Sequence, residues 1–216
     1  MYLSVATRPA IAYSVSVLSQ YNENPKQEHW GAAKKVFRYL RGSSDKKLIF
    51  EGPLDKIVGY SDADHGSDED VSRSYTGSIF KLGGAAISWK SKKQRAVSIS
   101  STEAEYRALT EATKESEYLR GLLIELNISS LSDGLIYCDN QSAIQLTTAT
   151  KSHDRSKHVR IHFHYVQKAV KDQSILLLHI NSDENVADIL TKALPGEKQE
   201  KFTKALGVKN RKKFSA

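Results

Sequence analysis

A chain of 216 residues, 39% hydrophobic and 26% charged, carries enough apolar side chains for one medium packed domain with extensions and is too apolar for global disorder. Lys and Arg outnumber Asp and Glu by 32 to 25, a formal charge of +7. That balance suits a polyanionic partner, or simply a basic surface. No apolar run approaches the roughly 20 residues that span a bilayer, MYLSVATRPA lacks the apolar stretch of a secretory signal, and the single cysteine, Cys138, excludes an internal disulfide and a four-cysteine zinc site. These features read as a soluble, intracellular protein with no membrane contact.

The first fifty residues read as two helices. Ile11, Val15 and Leu18 recur at helical spacing before the break at Pro25, and Trp30, Ala33, Val36, Phe37 and Leu40 form a stripe that Arg41 and Gly42 close as a cationic last turn and C-cap. They are too short to build a core alone. KIVGYSDAD then reads as a strand, and SYTGSIFKLGG and AAISWKSKKQ as two more joined at Gly83-Gly84. STEAEYRALTEATKESEYLRGLLIEL is a long helix, LIYCDN a short buried strand entering a helix at NQSAIQL, RIHFHYVQKAV a helix, SILLLHI a strand and ENVADILTKAL a helix. Tight turns make the first three strands antiparallel, and strands reached across helices are parallel. The expectation is an α/β fold: a five-stranded mixed sheet with helices on its faces, preceded by a helical hairpin. Residues 197–216 are polar and basic and read as a frayed tail.

Carboxylates fall where such a sheet would gather them. Asp62 lies in the first strand, and Asp139 ends LIYCD, where α/β sheets collect ligand groups, although Asp139 at that point equally suits a helix cap. On the long helix Glu105, Ala108, Leu109, Ala112, Leu119 and Leu123 share one stripe, so Glu105 opens the face that packs on the sheet. A carboxylate buried there needs a cation. Glu103 instead completes a capping box with Ser100, while Thr102 offers Glu105 the same pattern. Asp188 sits at most at the edge of the stripe Val186, Ile189, Leu190 and Ala193, so periodicity leaves it a solvated helical residue.

The strings TRPAIAYSVSVLSQY, RYLRGSSDKKLIF, GYSDADHGSDED, SYTGSIFKLGGAAISWKSKKQ, SSTEAEYRAL, YCDNQSAI, RSKHVRIHFHYV and ENVADILTKALP, in this order, carry a resemblance. The chain resembles the ribonuclease H region of copia-type long terminal repeat retrotransposon Pol polyproteins, with the end of the reverse transcriptase before it. The family usually has Trp where this chain has His65, an acidic residue where it has Ala10, and Ile-Asp-Ile where it has Val159-Arg160-Ile161.

The resemblance implies a ribonuclease H-like fold with strand order 3-2-1-4-5, and three parts: a reverse-transcriptase remnant over 1–50, a ribonuclease H domain over 51–196 and a basic tail over 197–216. It implies catalytic, metal-binding carboxylates at Asp62 (with Asp64 as the other choice in SDAD), Glu105, Asp139 and Asp188. They would hold two Mg²⁺ ions, with Mn²⁺ as a substitute, and cut the RNA strand of an RNA–DNA hybrid. The rest of the Pol polyprotein would be a partner, and the setting a cytoplasmic virus-like particle or the nucleus. A noncatalytic remnant of a decayed element is the competing reading.

Lys90, Lys92, Lys93 and Arg95 in SWKSKKQR are the candidate phosphate contacts, or else a solvated turn, with Trp89 beside them in the core or at the substrate. His179 closes the last strand and is either structural or, as the resemblance implies, an aid to proton transfer or product release. His158 and His162 stand four apart, but no third zinc ligand accompanies them, and His158 is placed near substrate by the resemblance alone.

Overall fold

The computed structural model describes residues 1–65, 72–128, 131, 134–148 and 157–210, and the side chains of 157–160 lie outside that description. Chain order begins with helices α1 (Tyr2–Ala6), α2 (Ala12–Ser19) and α3 (Gln27–Gly42) and the short strand β1 (Lys46–Leu48). Strands β2 (Val58–Ala63), β3 (Tyr75–Leu82) and β4 (Ala85–Lys93) precede the long helix α4 (Ser101–Glu125). Then come β5 (Leu135–Cys138), α5 (Gln141–Thr148), α6 (Lys157–Lys171), β6 (Leu176–His179), a 3₁₀ turn (Val186–Leu190), α7 (Gly196–Ala205) and β7 (Val208–Asn210).

The main sheet runs β4-β3-β2-β5-β6, with β2–β3 and β3–β4 antiparallel and β2–β5 and β5–β6 parallel. Numbered from β2 as the first strand, that is the expected 3-2-1-4-5 order of a ribonuclease H-like fold. Gly83 and Gly84 turn the β3–β4 hairpin with φ of 58° and 77°, left-handed angles that side chains resist.

Alternation along the strands splits the core. Phe80 and Ile136 meet Tyr106, Leu109, Val166 and Ala143 from α4, α6 and α5 on one face. On the other, Ile79 and Ala86 meet Ile189 and Leu190 of the 3₁₀ turn, Phe202 and Leu206 of the C-terminal region and Ala10 near the N-terminus. Both faces are covered, as a central strand with parallel neighbours requires.

Three sequence expectations change. Residues 197–210 are not a frayed tail: Phe202, Leu206 and Val208 are fully buried, and β7 pairs antiparallel with β1. A few apolar side chains in a polar stretch hold it down. ENVADILTKAL forms only a 3₁₀ turn, and all five turn residues are buried, so the one-sided pattern of an amphipathic helix does not apply. The C-cap of α3 is Ser43, at φ −124° and ψ 23°, rather than Gly42. Trp30 and Phe37, on the α3 stripe, stay exposed. Among the described residues no helix is long and apolar enough to cross a membrane.

Candidate active site

The carboxyl ends of β2 and β5 lie side by side, with Ser61 in register with Cys138. Asp62, the next residue of β2, and Asp139, the residue just past β5, therefore stand at neighbouring points. Glu105 reaches them from α4 on one face, and Asp188 from the 3₁₀ turn on the other.

The ligand atoms of Asp62, Asp139 and Asp188 lie within 4.8 Å of one another, as do those of Glu105, Cys138 and Asp139. Asp139 belongs to both groups. The four expected carboxylates thus converge from four separate elements, and the acidic cluster they form can hold metal.

Each is placed by identifiable neighbours. Ser100 caps α4, its hydroxyl accepting from the Glu103 N–H at 3.2 Å, while Glu103 accepts from the Ile99 N–H at 3.0 Å and pairs with Arg107 at 2.8 Å. Glu103 is thereby committed to the helix start, and Thr102 lies inside the helix. The cap after β5 is made by Asn140, which accepts from the Ala143 N–H at 2.9 Å. Asp139 is left to point elsewhere. Asp64 accepts from the Tyr75 N–H and closes the β2–β3 pair.

Asp188 is fully buried, where periodicity left it solvated. Asn185 holds its turn against the sheet, donating to the Ser61 carbonyl at 2.9 Å and accepting from the Ala187 N–H at 3.2 Å. Gly77, opposite Asp62 in register, makes the approach possible: a Cβ there would stand 2.9 Å from the Ala187 carbonyl oxygen and 2.8 Å from Thr191. Thr191 in turn donates its hydroxyl to Asp62. Asn185, Gly77 and Thr191 had no periodic signal in the sequence. Glycine inside a strand was the one available hint.

The electrostatics are those of crowded anions. Burial, then Asp188, pushes the Asp62 carboxyl up to about 7, against the pull of Lys192 and the Thr191 hydroxyl. Burial, then Asp62 and Asp139, holds Glu105 well above the usual carboxylate range. Asp188 is bridged by Lys192 at 2.8 Å and Lys198 at 3.0 Å. Burial alone would lower the Lys192 ammonium, but Asp62 and Asp188 outweigh it and raise it. Glu105 Oε2 and Asp139 Oδ1 are buried with no hydrogen-bond partner among the described residues. Such atoms cost free energy unless a cation takes them, and hard divalent ions take carboxylate oxygens. The residues present fit a metal.

The basic candidates divide. Lys90 and Lys92 point to the α4 side of β4, where Lys90 meets Glu111 at 3.3 Å. Lys93 points to the other side and donates to Gln20 at 2.8 Å. Trp89 shares that side, packs into the apolar cluster and donates to the Ser4 carbonyl at 2.6 Å.

Lys90, Lys92, Lys93 and Arg95, with Arg107 and Lys114 of α4, border a concavity of about 730 Å³. Arg107 and Lys114 escaped sequence reading. Gln94 donates to Thr76 at 3.1 Å and to the Ala104 carbonyl at 3.0 Å, so this groove begins beside Ala63 and Glu105. His162 lines it, the His158 side chain lies outside the described residues, and His179 is exposed at the end of β6, opposite Cys138, in neither acidic group.

No family model matches the sequence. The chain is 44% identical over 208 residues to the retrovirus-related Pol polyprotein from transposon TNT 1-94 of Nicotiana tabacum, covering 96% of this chain and 16% of that one. It is 38% identical over 203 residues to the Pol polyprotein from transposon RE2 of Arabidopsis thaliana, covering 94% of this chain and 14% of that one. A stretch of 120 residues, 55% of this chain, is 51% identical to secreted RxLR effector protein 161 of Plasmopara viticola and covers 84% of it. Among solved structures, an RNase H1 isolated from compost superposes with a TM-score of 0.49 at 17% identity, covering 68% of this chain and 98% of that one. On the sequence matches to the transposon polyproteins, the chain belongs to the copia-type retrovirus-related Pol polyproteins and spans about a sixth of their length.

Proposed function

We propose that this chain is a ribonuclease H that hydrolyses the RNA strand of RNA–DNA hybrids during reverse transcription of a retrotransposon. The observation that carries the reading is the meeting of Asp62, Glu105, Asp139 and Asp188, with buried carboxylate oxygens lacking partners, at one end of the sheet. In this reading residues 1–50 are the end of a reverse transcriptase and 51–196 the ribonuclease H section, working with the rest of the Pol polyprotein in cytoplasmic particles or the nucleus. The names of the relatives, Pol polyproteins of transposons, support a setting in reverse transcription.

The four carboxylates would hold two Mg²⁺ ions, for which Mn²⁺ would substitute. Bound there, such a pair supplies an activated water and charge stabilisation for the departing 3′-oxygen, leaving 5′-phosphate and 3′-hydroxyl ends. The chain's own residues do the rest. Lys90, Lys92 and Arg95, with Arg107 and Lys114, present cations to a phosphate backbone along the groove between β4 and α4. Lys192 and Lys198 bridge Asp188 and hold its side chain in place. Asn185 and Thr191 fix the turn that carries it. His179 and His158 remain auxiliary candidates.

Incubating the protein with labelled RNA–DNA hybrid and Mg²⁺ tests the reading, with Asp139→Asn as control. Cleavage by the wild type and none by the variant is expected. Equal cleavage by both would dismiss these ligands.

A further inference from the structure

We propose that Cys138, Glu105 and Asp139 form a soft-metal site beside the hydrolytic centre, which takes Zn²⁺ or Cd²⁺ and, when filled, blocks the enzyme. The three ligand atoms already lie within 4.8 Å of one another. Cys138 is fully buried and ends β5 directly before Asp139. Its sulfur lies 4.0 Å from the Asn140 carbonyl oxygen, a weak contact. Glu105 packs onto it from α4 with only 7% of its surface exposed, and Oε2 has no hydrogen-bond partner among the described residues. A buried carboxylate with one unpartnered oxygen, beside a buried thiol, is an arrangement that a thiophilic cation resolves.

The choice of ion follows from the donors. A thiolate with two carboxylates selects zinc or cadmium, whereas Mg²⁺ prefers oxygen alone. Tetrahedral zinc, with bonds of about 2.0–2.3 Å, holds its ligand atoms roughly 3.5 Å apart. A closure of about one ångström therefore completes the site. As the sulfur–metal bond forms, the thiol proton passes to solvent. The ion then occupies Glu105 and Asp139, both of which hydrolysis is proposed to need. Blockade rests on the ribonuclease reading, but binding does not.

Cys138 is the chain's single cysteine, so a thiolate-to-cadmium charge-transfer band in the ultraviolet reports that atom alone. Titrating the metal-free full chain with Cd²⁺ should raise the band to saturation at about one equivalent. It should vanish in Cys138→Val, which keeps the buried volume filled, and circular dichroism verifies that this variant is folded. Glu105→Gln retains the thiol and should weaken Cd²⁺ binding by about tenfold or more. No band in the wild type, or an affinity untouched by Glu105→Gln, overturns the site. In Mg²⁺-supported hybrid cleavage, Cys138→Val should need about tenfold more Zn²⁺ for inhibition, and equal sensitivity overturns the blockade. If neither protein cleaves hybrid, the ribonuclease reading fails, while the absorbance titration still decides the metal site.

Discussion

Asp62 and Asp188 share one buried volume but are neutralised differently: lysines bridge Asp188, whereas the Asp62 carboxyl is pushed up to about 7 by burial and by Asp188. The sign of the consequence follows from proton counts. Between the unfolded value near 3.8 and about 7, the folded chain holds a proton on Asp62 that the unfolded chain has lost, so stability falls as pH rises through that window. Glu105, also raised, acts in the same direction. In chelator, then, the melting temperature should fall between about pH 4 and pH 7, and added Mg²⁺ should restore it at pH 8. Asp62→Asn removes the buried charge and should stabilise the metal-free protein at pH 8 by up to about 4 kcal/mol, while abolishing hybrid cleavage. A variant that melts below the wild type under those conditions would refute the electrostatic account. At this scale the sequence was legible for Glu105, because a helical stripe names the face that meets the sheet. Asp188 was not legible, since periodicity ranks residues by side, and a turn buried on all sides has no solvent side.

At the scale of elements, the 3₁₀ turn is held less by its own hydrogen bonds than by what it fits into. Gly77 leaves the space on β3, and Asn185 ties the turn to β2. Gly77→Ala should drive a methyl against the Ala187 carbonyl oxygen and push the turn outward, costing about 1–3 kcal/mol. Because Asp188 moves with the turn, the Mg²⁺ concentration for half-maximal cleavage should rise as well. A variant that loses stability but keeps the same Mg²⁺ requirement would separate the turn from the metal. Strand β4 carries a second case. Alternation in SWKSKKQ places Lys90 and Lys92 on one side and Lys93 on the other, so the sequence already contained a division that treating the four cations as one patch hid. Charge removal at Lys92 should weaken hybrid binding and reduce its log–log salt slope by about one. Lys93→Gln should change the slope less. If the two substitutions act alike, the α4-side groove is not the path of the backbone.

Across the whole molecule the N-terminal region meets residues 199–210. Strand β1 pairs with β7, Ala10 packs with Phe202, and Gln199 donates to the Ala10 carbonyl at 3.0 Å. Composition had marked residues 197–216 as detachable because averaged polarity conceals three anchors, Phe202, Leu206 and Val208, that lose all solvent contact. Lys198, on the same helix, reaches Asp188, so the C-terminal helix both closes the apolar layer and touches the acidic cluster. A chain cut after residue 196 should therefore fail to reach the wild-type fold. The milder Phe202→Ala should cost about 3–5 kcal/mol, a melting-temperature loss of roughly 10 °C or more for a chain this size. Lys198→Met separates the two roles. It keeps an aliphatic side chain over Phe202 and removes one of the two cations on Asp188, so it should alter the Mg²⁺ dependence with little change in melting. Should the chain cut after residue 196 melt cooperatively at the wild-type temperature, α7 and β7 would be accessories, and the C-terminal boundary read from composition would be the structural one after all.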